Sequence, residues 1–280
     1  MIGKRAVLRL ATLALLAAPA ACNSVDATAI NRSSVAPLPS KYAAIVVDAS
    51  NGSTLYQAAS NDTRFPASLT KMMTLYMMFE AIDSGRAAKD TSIAMSAHCA
   101  SQAPSKLGLK PGQTIDVDTA IRAVAVKSAN DIACAVGEFV SGSEPAFAQA
   151  MTAKARELGM NGTTFRNASG LHDPAQRTTA RDMAALGMRL RRDFPHHFGY
   201  FAQRSFTWNG RFVRGHNRAL DMIPGATGIK TGYTKASGFN LVTSVERNGK
   251  LMVGVILGED SAKVRDARMT EMMNRYMARQ

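Results

Sequence analysis

FNLVTSVERNGKLMVGVILG, residues 239–258, reads as two largely apolar strands joined at Asn248-Gly249. Asn-Gly is the dipeptide that a tight hairpin favours, because both central positions of such a turn take positive φ. Near the other end of the chain YAAIVVDASNGSTLYQAA, residues 42–59, repeats the pattern around Asn51-Gly52. A lone hairpin is marginal in water, so the two must share one sheet, to which TGIKTGYT, residues 227–234, adds a fifth strand. The first and last parts of the chain therefore close a single domain. The expected fold is α/β in the α+β sense, a five-stranded antiparallel sheet flanked by helices.

Between the strand groups, residues 86–222 read as helices and loops. One helix opens with Asp116 or Asp118 as its N-cap; another, ANDIACAVGEFVSG, follows it. SEPAFAQAMTAKARELGM carries an apolar face and stops at Gly159. A long glycine-containing passage, residues 161–182, leads into DMAALGMRLRR, and a final helix spans about 264–278. The organisation expected is a sheet part over about 41–85 and 223–280 with a mostly helical insertion over 86–222. A site is expected in the cleft between them.

With 280 residues, 46% of them hydrophobic, the chain can bury a proper core. Its first 21 residues have a basic start (Lys4, Arg5, Arg9), a short apolar stretch and small residues before Cys22, which reads as a secretory signal rather than a membrane span. Cleavage after Ala20 or Ala21 fits, and Ala20-Ala21-Cys22 is also similar to a lipoprotein site, with Pro19 where that pattern prefers leucine. Residues 22–40 read as a linker. The expected location is the periplasm or cell envelope of a bacterium, with N-terminal attachment to the membrane as an option. Loss of the three signal-segment bases takes the net charge from +13 to +10. Scattered bases on an exported chain argue against nucleic acid and for anionic envelope material as surroundings. Cys99 and Cys134 are open to a bridge in an oxidising compartment, or to remaining buried thiols, since Cys134 lies in an apolar helical pattern. Cys and His show no metal-ligand spacing, and His196-His197 reads as a loop pair, so neither a metal nor another cofactor is expected. A monomer is the default.

FPASLTKMMT, residues 65–74, starts a helix that is apolar nearly all round and ends at Ser84-Gly85. Burial there penalises an ammonium and lowers the pKa of Lys71 from its ordinary value of about 10.4. Ser68 lies three residues earlier, within reach on the same face. A neutral amine beside a hydroxyl is a base beside a nucleophile. By itself Ser-x-x-Lys recurs by chance about once in a chain of this size. Two further motifs fall where the cleft is expected: Ser128-Ala129-Asn130 at a loop-to-helix junction, and Lys230-Thr231-Gly232 on a strand.

With these three motifs in this order, the sequence resembles the penicillin-binding serine peptidases, and most closely the low-molecular-weight D-alanyl-D-alanine carboxypeptidases. LKPGQ, KSANDIA, ELGMNGTTFRNASGL and GIKTGYTKASGFNLV are also similar to that family, over residue 40 to the C-terminus. The resemblance implies a beta-lactamase/transpeptidase-like fold and attack by Ser68 on the carbonyl between two D-alanines of a peptidoglycan stem peptide. Lys71 is then the base and Ser128 the proton carrier to the leaving amine. Asn130 holds Lys71 and the substrate amide, while Lys230 and Thr231 take the terminal carboxylate. Gly232 lets the substrate backbone approach, and the N–H groups of Ser68 and Tyr233 form an oxyanion hole. Beta-lactam antibiotics are the implied inhibitors.

Three other outcomes share these motifs: D,D-endopeptidase action on crosslinks, a beta-lactamase, and a silent penicillin-binding sensor or scaffold. Glu157 and Asn161 mimic the Glu-x-x-Leu-Asn spacing of beta-lactamases, but Met160 replaces the leucine and both read as helix end and turn. His172 and Asp173 read as structural loop residues. Two departures from the family stand out. The chain ends after the last helix, where larger members continue into a β-rich domain and an amphipathic helix. Glu259 and Asp260 occupy positions where relatives can carry a base near the carboxylate pocket, which leaves the grip on the substrate carboxylate open.

Overall fold

Strands β1 (Ala43–Asp48) and β2 (Thr54–Ala58) are followed by helix α1 (Thr70–Asp83) in a computed structural model that describes residues 1–2 and 38–278. Residues 3–37, which hold nearly all of the stretch read as a signal, most of that read as a linker, and Cys22, lie outside the described residues. Next come β3 (Ser92–Ala94), α2 (Ala97–Ala100), β4 (Thr114–Asp116), α3 (Val117–Arg122), α4 (Asn130–Ser141), α5 (Glu144–Glu157) and α6 (Ala180–Asp193). A hairpin of β5 (Ser205–Trp208) and β6 (Arg211–Arg214) and the short α7 (Ala219–Met222) lead to β7 (Ala226–Thr234), β8 (Gly238–Arg247), β9 (Lys250–Glu259) and α8 (Ala262–Ala278).

The main sheet has the order β2-β1-β9-β8-β7 and is antiparallel throughout. Its closure is non-local: β1 pairs with β9 from Ala43↔Leu257 to Asp48↔Met252, which is how the two ends of the chain share one sheet. The β8–β9 turn has positive φ at both Asn248 and Gly249, as a two-residue hairpin requires. Side chains alternate between two cores with the period of two that a pleated strand imposes. Ala44, Val46, Leu241, Val245 and Ile256 face Met269, Met272, Met273 and Tyr276 of α8. Ala43, Ile45, Val47, Val242, Val253 and Val255 face a larger core that includes α1, α4 and α6. Methionine, with its unbranched thioether, fills the irregular space between these layers: Met72, Met73, Met78, Met151 and Met183 are fully buried.

α1 is buried on all faces, with Ser84 as its C-cap and Gly85 at φ 74°. Asp116 is the N-cap of α3, accepting from the N–H of Thr119, and Ser143 caps α5 in the same way. α6 lies within the stretch 86–222 yet packs directly on the sheet. That stretch also holds two small antiparallel strand pairs, β3–β4, which encloses α2, and the hairpin β5–β6, where sequence reading gives helices and loops alone. The second turns on Asn209-Gly210, both with positive φ, so the same dipeptide signal that marks the large hairpin was present there. Cys99 of α2 and Cys134 of α4 form a disulfide, which settles the choice between bridge and buried thiols. A cystine is as apolar as a free thiol, so the helical pattern around Cys134 accommodates it. Among the described residues no helix is long and apolar enough to cross a membrane.

Candidate active site

Ser68 sits in a single 3-10 turn, Ala67–Leu69, that precedes α1 and docks against β7. The turn is pinned by Asn240 of β8, fully buried, whose Nδ2 donates to the carbonyls of Phe65 and Pro66 at 3.0 Å each, and whose Oδ1 accepts from Gly258 N–H at 2.9 Å. Ala67 takes φ +48°, and its carbonyl packs on Gly170, where a β-carbon would lie 1.9 Å from that oxygen. Gly170 itself has φ +85°, so only glycine fits both the conformation and the contact. Gly232 of β7 meets the same turn. An added β-carbon would stand 3.0 Å from Ser68 N and 3.2 Å from Leu69 N. The glycine therefore lets the nucleophile's own backbone approach the strand, a reason for its presence separate from the substrate clearance inferred from sequence.

Lys71 is wholly buried on the first turn of α1. Its Nζ lies 2.7 Å from Asn130 Oδ1, 2.5 Å from the carbonyl of Ser169 and 3.1 Å from Ser68 Oγ. Burial, and after it the charge of Lys230, hold its pKa well below the ordinary lysine value, with Asp131 opposing. A neutral amine has two hydrogens and one lone pair. Asn130 Oδ1 and the Ser169 carbonyl are acceptors and take the hydrogens, which leaves the lone pair for the hydroxyl of Ser68. The arrangement is a general base already aligned on a nucleophile.

The opposite wall comes from the junction of α3 and α4. α3 runs on into a π-helical turn, Ala123–Lys127, capped by Ser128 in the left-handed region, and Asn130 is the first residue of α4. Ser128 Oγ is buried and has no hydrogen-bond partner among the described residues. It lines the cavity as an uncommitted hydroxyl. Asn130 Nδ2 donates one hydrogen to the Ala103 carbonyl at 2.8 Å, which leaves a second for a ligand. Fully buried Asp131 holds the rim, accepting from the N–H groups of Leu107 and Gly108.

Lys230 and Thr231 are adjacent on β7, both buried; Thr231 lines the cavity, and Lys230 Nζ donates to the Thr231 carbonyl at 2.9 Å. Burial, then the charge of Arg265, push Lys230 down to about 7. Tyr233 is 54% exposed, and its ring stacks on Phe239 at the mouth. All eight residues singled out in the sequence thus gather around one depression of about 370 Å³, seven lining it or contacting its lining directly and Lys71 lying beneath Ser68.

Residues 31–261 match the D-alanyl-D-alanine carboxypeptidase family, peptidase S11. The chain belongs to this family. D-alanyl-D-alanine carboxypeptidase DacF of Bacillus subtilis is 32% identical over 235 residues, covering 82% of this chain and 60% of that protein. DacA of Escherichia coli K12 is 32% identical over 237 residues, with 82% and 59% covered. The chain thus spans about 60% of the length of these curated relatives. Among solved structures, the carboxypeptidase DacD of Francisella tularensis superposes with a TM-score of 0.82 at 27% identity, covering 84% of this chain and 70% of that one. Penicillin-binding protein D2 of Listeria monocytogenes, solved in a cefotaxime-bound form, gives 0.76 at 28% identity, with 85% and 98% covered. The penicillin-binding, transpeptidase-type fold expected from the three motifs is therefore the fold of this family member.

Several residues of this carboxypeptidase-family site escaped sequence reading. Arg265, on α8, lines the cavity beside Ala262. It is 4% exposed, donates to the Asn240 carbonyl at 3.1 Å and pairs with Asp266 at 2.7 Å. Glu259, by contrast, turns away to an ion pair with buried Arg268 at 2.5 Å, and Asp260 is exposed. Neither residue of the acidic pair near the end of β9 lines the cavity, whereas the next helix brings the Arg265 guanidinium to its wall. The carbonyl of Ser169 and Gly170 were within a quoted family-like stretch, but no residue-type signal marks a backbone carbonyl as a lysine's partner. Glu157 is an exposed helix-end residue paired with Lys154 at 2.6 Å, and among the described residues no carboxylate lines the cavity. His172 packs edge-on against Phe65. His196 and His197 both direct Nε2 at Asp83 Oδ1, at 3.1 and 2.9 Å, at the end of α1 remote from Ser68.

Proposed function

We propose that this protein is a serine-type D-alanyl-D-alanine carboxypeptidase that removes the terminal D-alanine from peptidoglycan pentapeptide stems through an acyl-enzyme on Ser68. The observation that carries the reading is the three-point setting of Lys71, with two acceptors and one hydroxyl around a buried amine. Ser68 Oγ attacks the penultimate D-alanyl carbonyl as its proton passes to Lys71 Nζ. Backbone N–H groups of Ser68 and Tyr233 stabilise the oxyanion. Ser128, whose hydroxyl is otherwise unengaged, hands a proton to the leaving amine. Lys230, Thr231 and Arg265 hold the terminal carboxylate, which restricts the reaction to chain ends. Water then hydrolyses the ester and returns the proton to Ser68.

A β-lactam places a strained amide carbonyl at the same position, and among the described residues no carboxylate lines the cavity to activate water against the resulting ester. A long-lived penicillin adduct follows, which supports the peptidase over a beta-lactamase. The chain is exported by its first 21 residues and works as a monomer in the cell envelope. The Cys99–Cys134 bridge supports an oxidising compartment.

The test is intact-protein mass after brief exposure to benzylpenicillin, followed over time and mapped to a peptide. An adduct on Ser68 lasting many minutes, absent in Ser68→Ala, together with D-alanine release from a pentapeptide, is the expected result. Rapid loss of the adduct with hydrolysed drug would make the protein a beta-lactamase. Acylation of Ser68→Ala at the wild-type rate would refute the assignment of the nucleophile.

A further inference from the structure

Both ends of α1 carry titratable groups: Lys71 stands in its first turn, and Asp83 is its last residue. Asp83 meets the turn that follows α6, Phe194-Pro195-His196-His197, in which the His197 N–H donates to the Phe194 carbonyl at 3.1 Å. That turn aims two neighbouring imidazoles the same way. Their ring centroids are 4.2 Å apart, and both Nε2 atoms converge on one oxygen, Asp83 Oδ1, at 3.1 and 2.9 Å. The carboxylate lies 113 positions from His196 in sequence, so the His-His pair by itself shows no ligand spacing.

Donors bound at about 2.0–2.1 Å to a tetrahedral zinc ion stand about 3.3–3.4 Å from one another, so only a slight opening turns these hydrogen-bond distances into ligand distances. All three donor atoms already lie within 4.8 Å of one another. His197 is 3% exposed and stacks on Phe79 with ring centroids 4.8 Å apart, which fixes its plane. Its Nδ1 is buried with no hydrogen-bond partner among the described residues. No donor therefore holds Nδ1 as an acceptor and forces the ring hydrogen onto Nε2. Burial first, with His196 and Lys89 adding to it and Asp83 opposing, lowers the His197 pKa, which keeps the imidazole in the neutral form that a metal requires. No lysine or arginine pairs with Asp83 among the described residues, so its charge has only the two imidazoles against it. Asp83 and His196 are exposed, which gives an ion a way in and leaves room for water. A second trio, His98, Cys134 and Glu138, is no rival, because its sulfur is bonded to Cys99.

We propose that Asp83, His196 and His197 bind a zinc ion, with water as the fourth ligand, and that the ion fastens the end of α1 to the turn after α6. Each imidazole then offers the Nε2 lone pair and carries its hydrogen on Nδ1. Two nitrogen donors select a zinc-type ion over magnesium and calcium, which take oxygen. The twelve-residue rise of α1 puts about 18 Å between Lys71 and Asp83, so the ion is a clamp on the fold and takes no part in the chemistry at Ser68.

The experiment titrates ZnCl2 into the full chain, made without a polyhistidine tag and stripped of metal by chelator, using calorimetry for binding and thermal denaturation for stability. Wild type is expected to bind one zinc at this site and to gain about 5 °C in Tm when free zinc is a hundredfold above its Kd. His196→Ala, a change at the surface, and Asp83→Asn, which keeps the side chain's shape, should each weaken zinc binding at least about tenfold and lose the Tm gain. In chelator both should melt within about 2 °C of wild type, because exposed pairs contribute little. His98→Ala, at the separate pair of His98 with Glu144, should leave affinity and Tm gain unchanged. A wild type with neither saturable zinc binding nor a Tm gain would overturn the proposal. So would wild-type affinity in either ligand variant, or an equal loss with His98→Ala. Should His196→Ala melt far below wild type in chelator, Asp83→Asn decides by itself.

Discussion

In the proposed reaction Lys71 accepts a proton only while uncharged, and its surroundings favour that form. Burial first, and the neighbouring Lys230 charge second, lower its pKa, so the reactive fraction grows as pH rises through that depressed value. Acylation rate by benzylpenicillin should therefore increase with pH and level off well below the ordinary lysine pKa. Lys71→Arg, permanently protonated, should lose about 10²–10⁴-fold at every pH, measured by stopped-flow or mass spectrometry. Lys230 gives a complementary signature in stability. Its folded pKa of about 7 lies below the unfolded value of about 10.4. Between those values the unfolded chain binds the extra proton, so this residue makes stability rise with pH across the window. Lys230→Met should flatten that rise in denaturation curves taken between pH 7 and pH 9.5, while reducing kcat/KM for peptides with a free carboxylate. Arg265→Gln should cost about 1.5–3 kcal/mol in kcat/KM towards a peptide acid and far less towards the matching peptide amide, because the lost bond is charge-assisted.

At the scale of elements, the site is a meeting of three rigid pieces: the turn before α1, the junction of α3 with α4, and the edge strand β7. Their approach depends on two positions that have no side chain. At Gly170 a methyl group would collide with the Ala67 carbonyl in a backbone conformation that already disfavours it. Gly170→Ala should cost about 2–3 kcal/mol and displace the Ser169 carbonyl from Lys71, reducing acylation as well as lowering Tm. Gly199→Ala, where nothing lies within 4 Å of the added atom, is the matched control and should leave both unchanged. Asn240 joins the nucleophile turn to β8 and β9 through its buried amide. Elements with a strong local signal, such as α1 and the Asn-Gly hairpins, were legible in the sequence. β5–β6 carried the same signal at Asn209-Gly210 and went unread, while β3–β4 and the packing of α6 on the sheet were not legible, because short strands have little periodicity and a helix's partner is set by the rest of the fold.

Over the whole molecule, the helical region is tied together by the Cys99–Cys134 bond between α2 and α4, and α4 begins at Asn130. The bridge spans 35 positions of sequence, for which the chain-entropy model gives about 4 kcal/mol of stabilisation. Cys99→Ala/Cys134→Ala should therefore lower Tm by on the order of 10 °C for a chain of this size, measured by calorimetry, and make the wild type sensitive to reductant to the same degree. Ser68, Lys71, Ser128, Asn130, Lys230, Thr231 and Gly232 stand in three short motifs whose residue types and spacing suggest a chemistry, Tyr233 came from the family resemblance, and the structure gathers all of them around one cavity. The hairpin signals, the buried character of α1 and the closure of one sheet from both chain ends were equally local, or followed from simple instability of the alternatives. What only the tertiary structure decided were contacts made across long separations: Arg265 rather than Glu259 at the cavity wall, the Ser169 carbonyl on Lys71, Asn240 under the turn that carries Ser68, and the cysteine pairing. None of these has a sequence period or motif of its own, because a partner distant along the chain is selected by packing geometry and by the need to satisfy buried polar groups, not by its sequence neighbours.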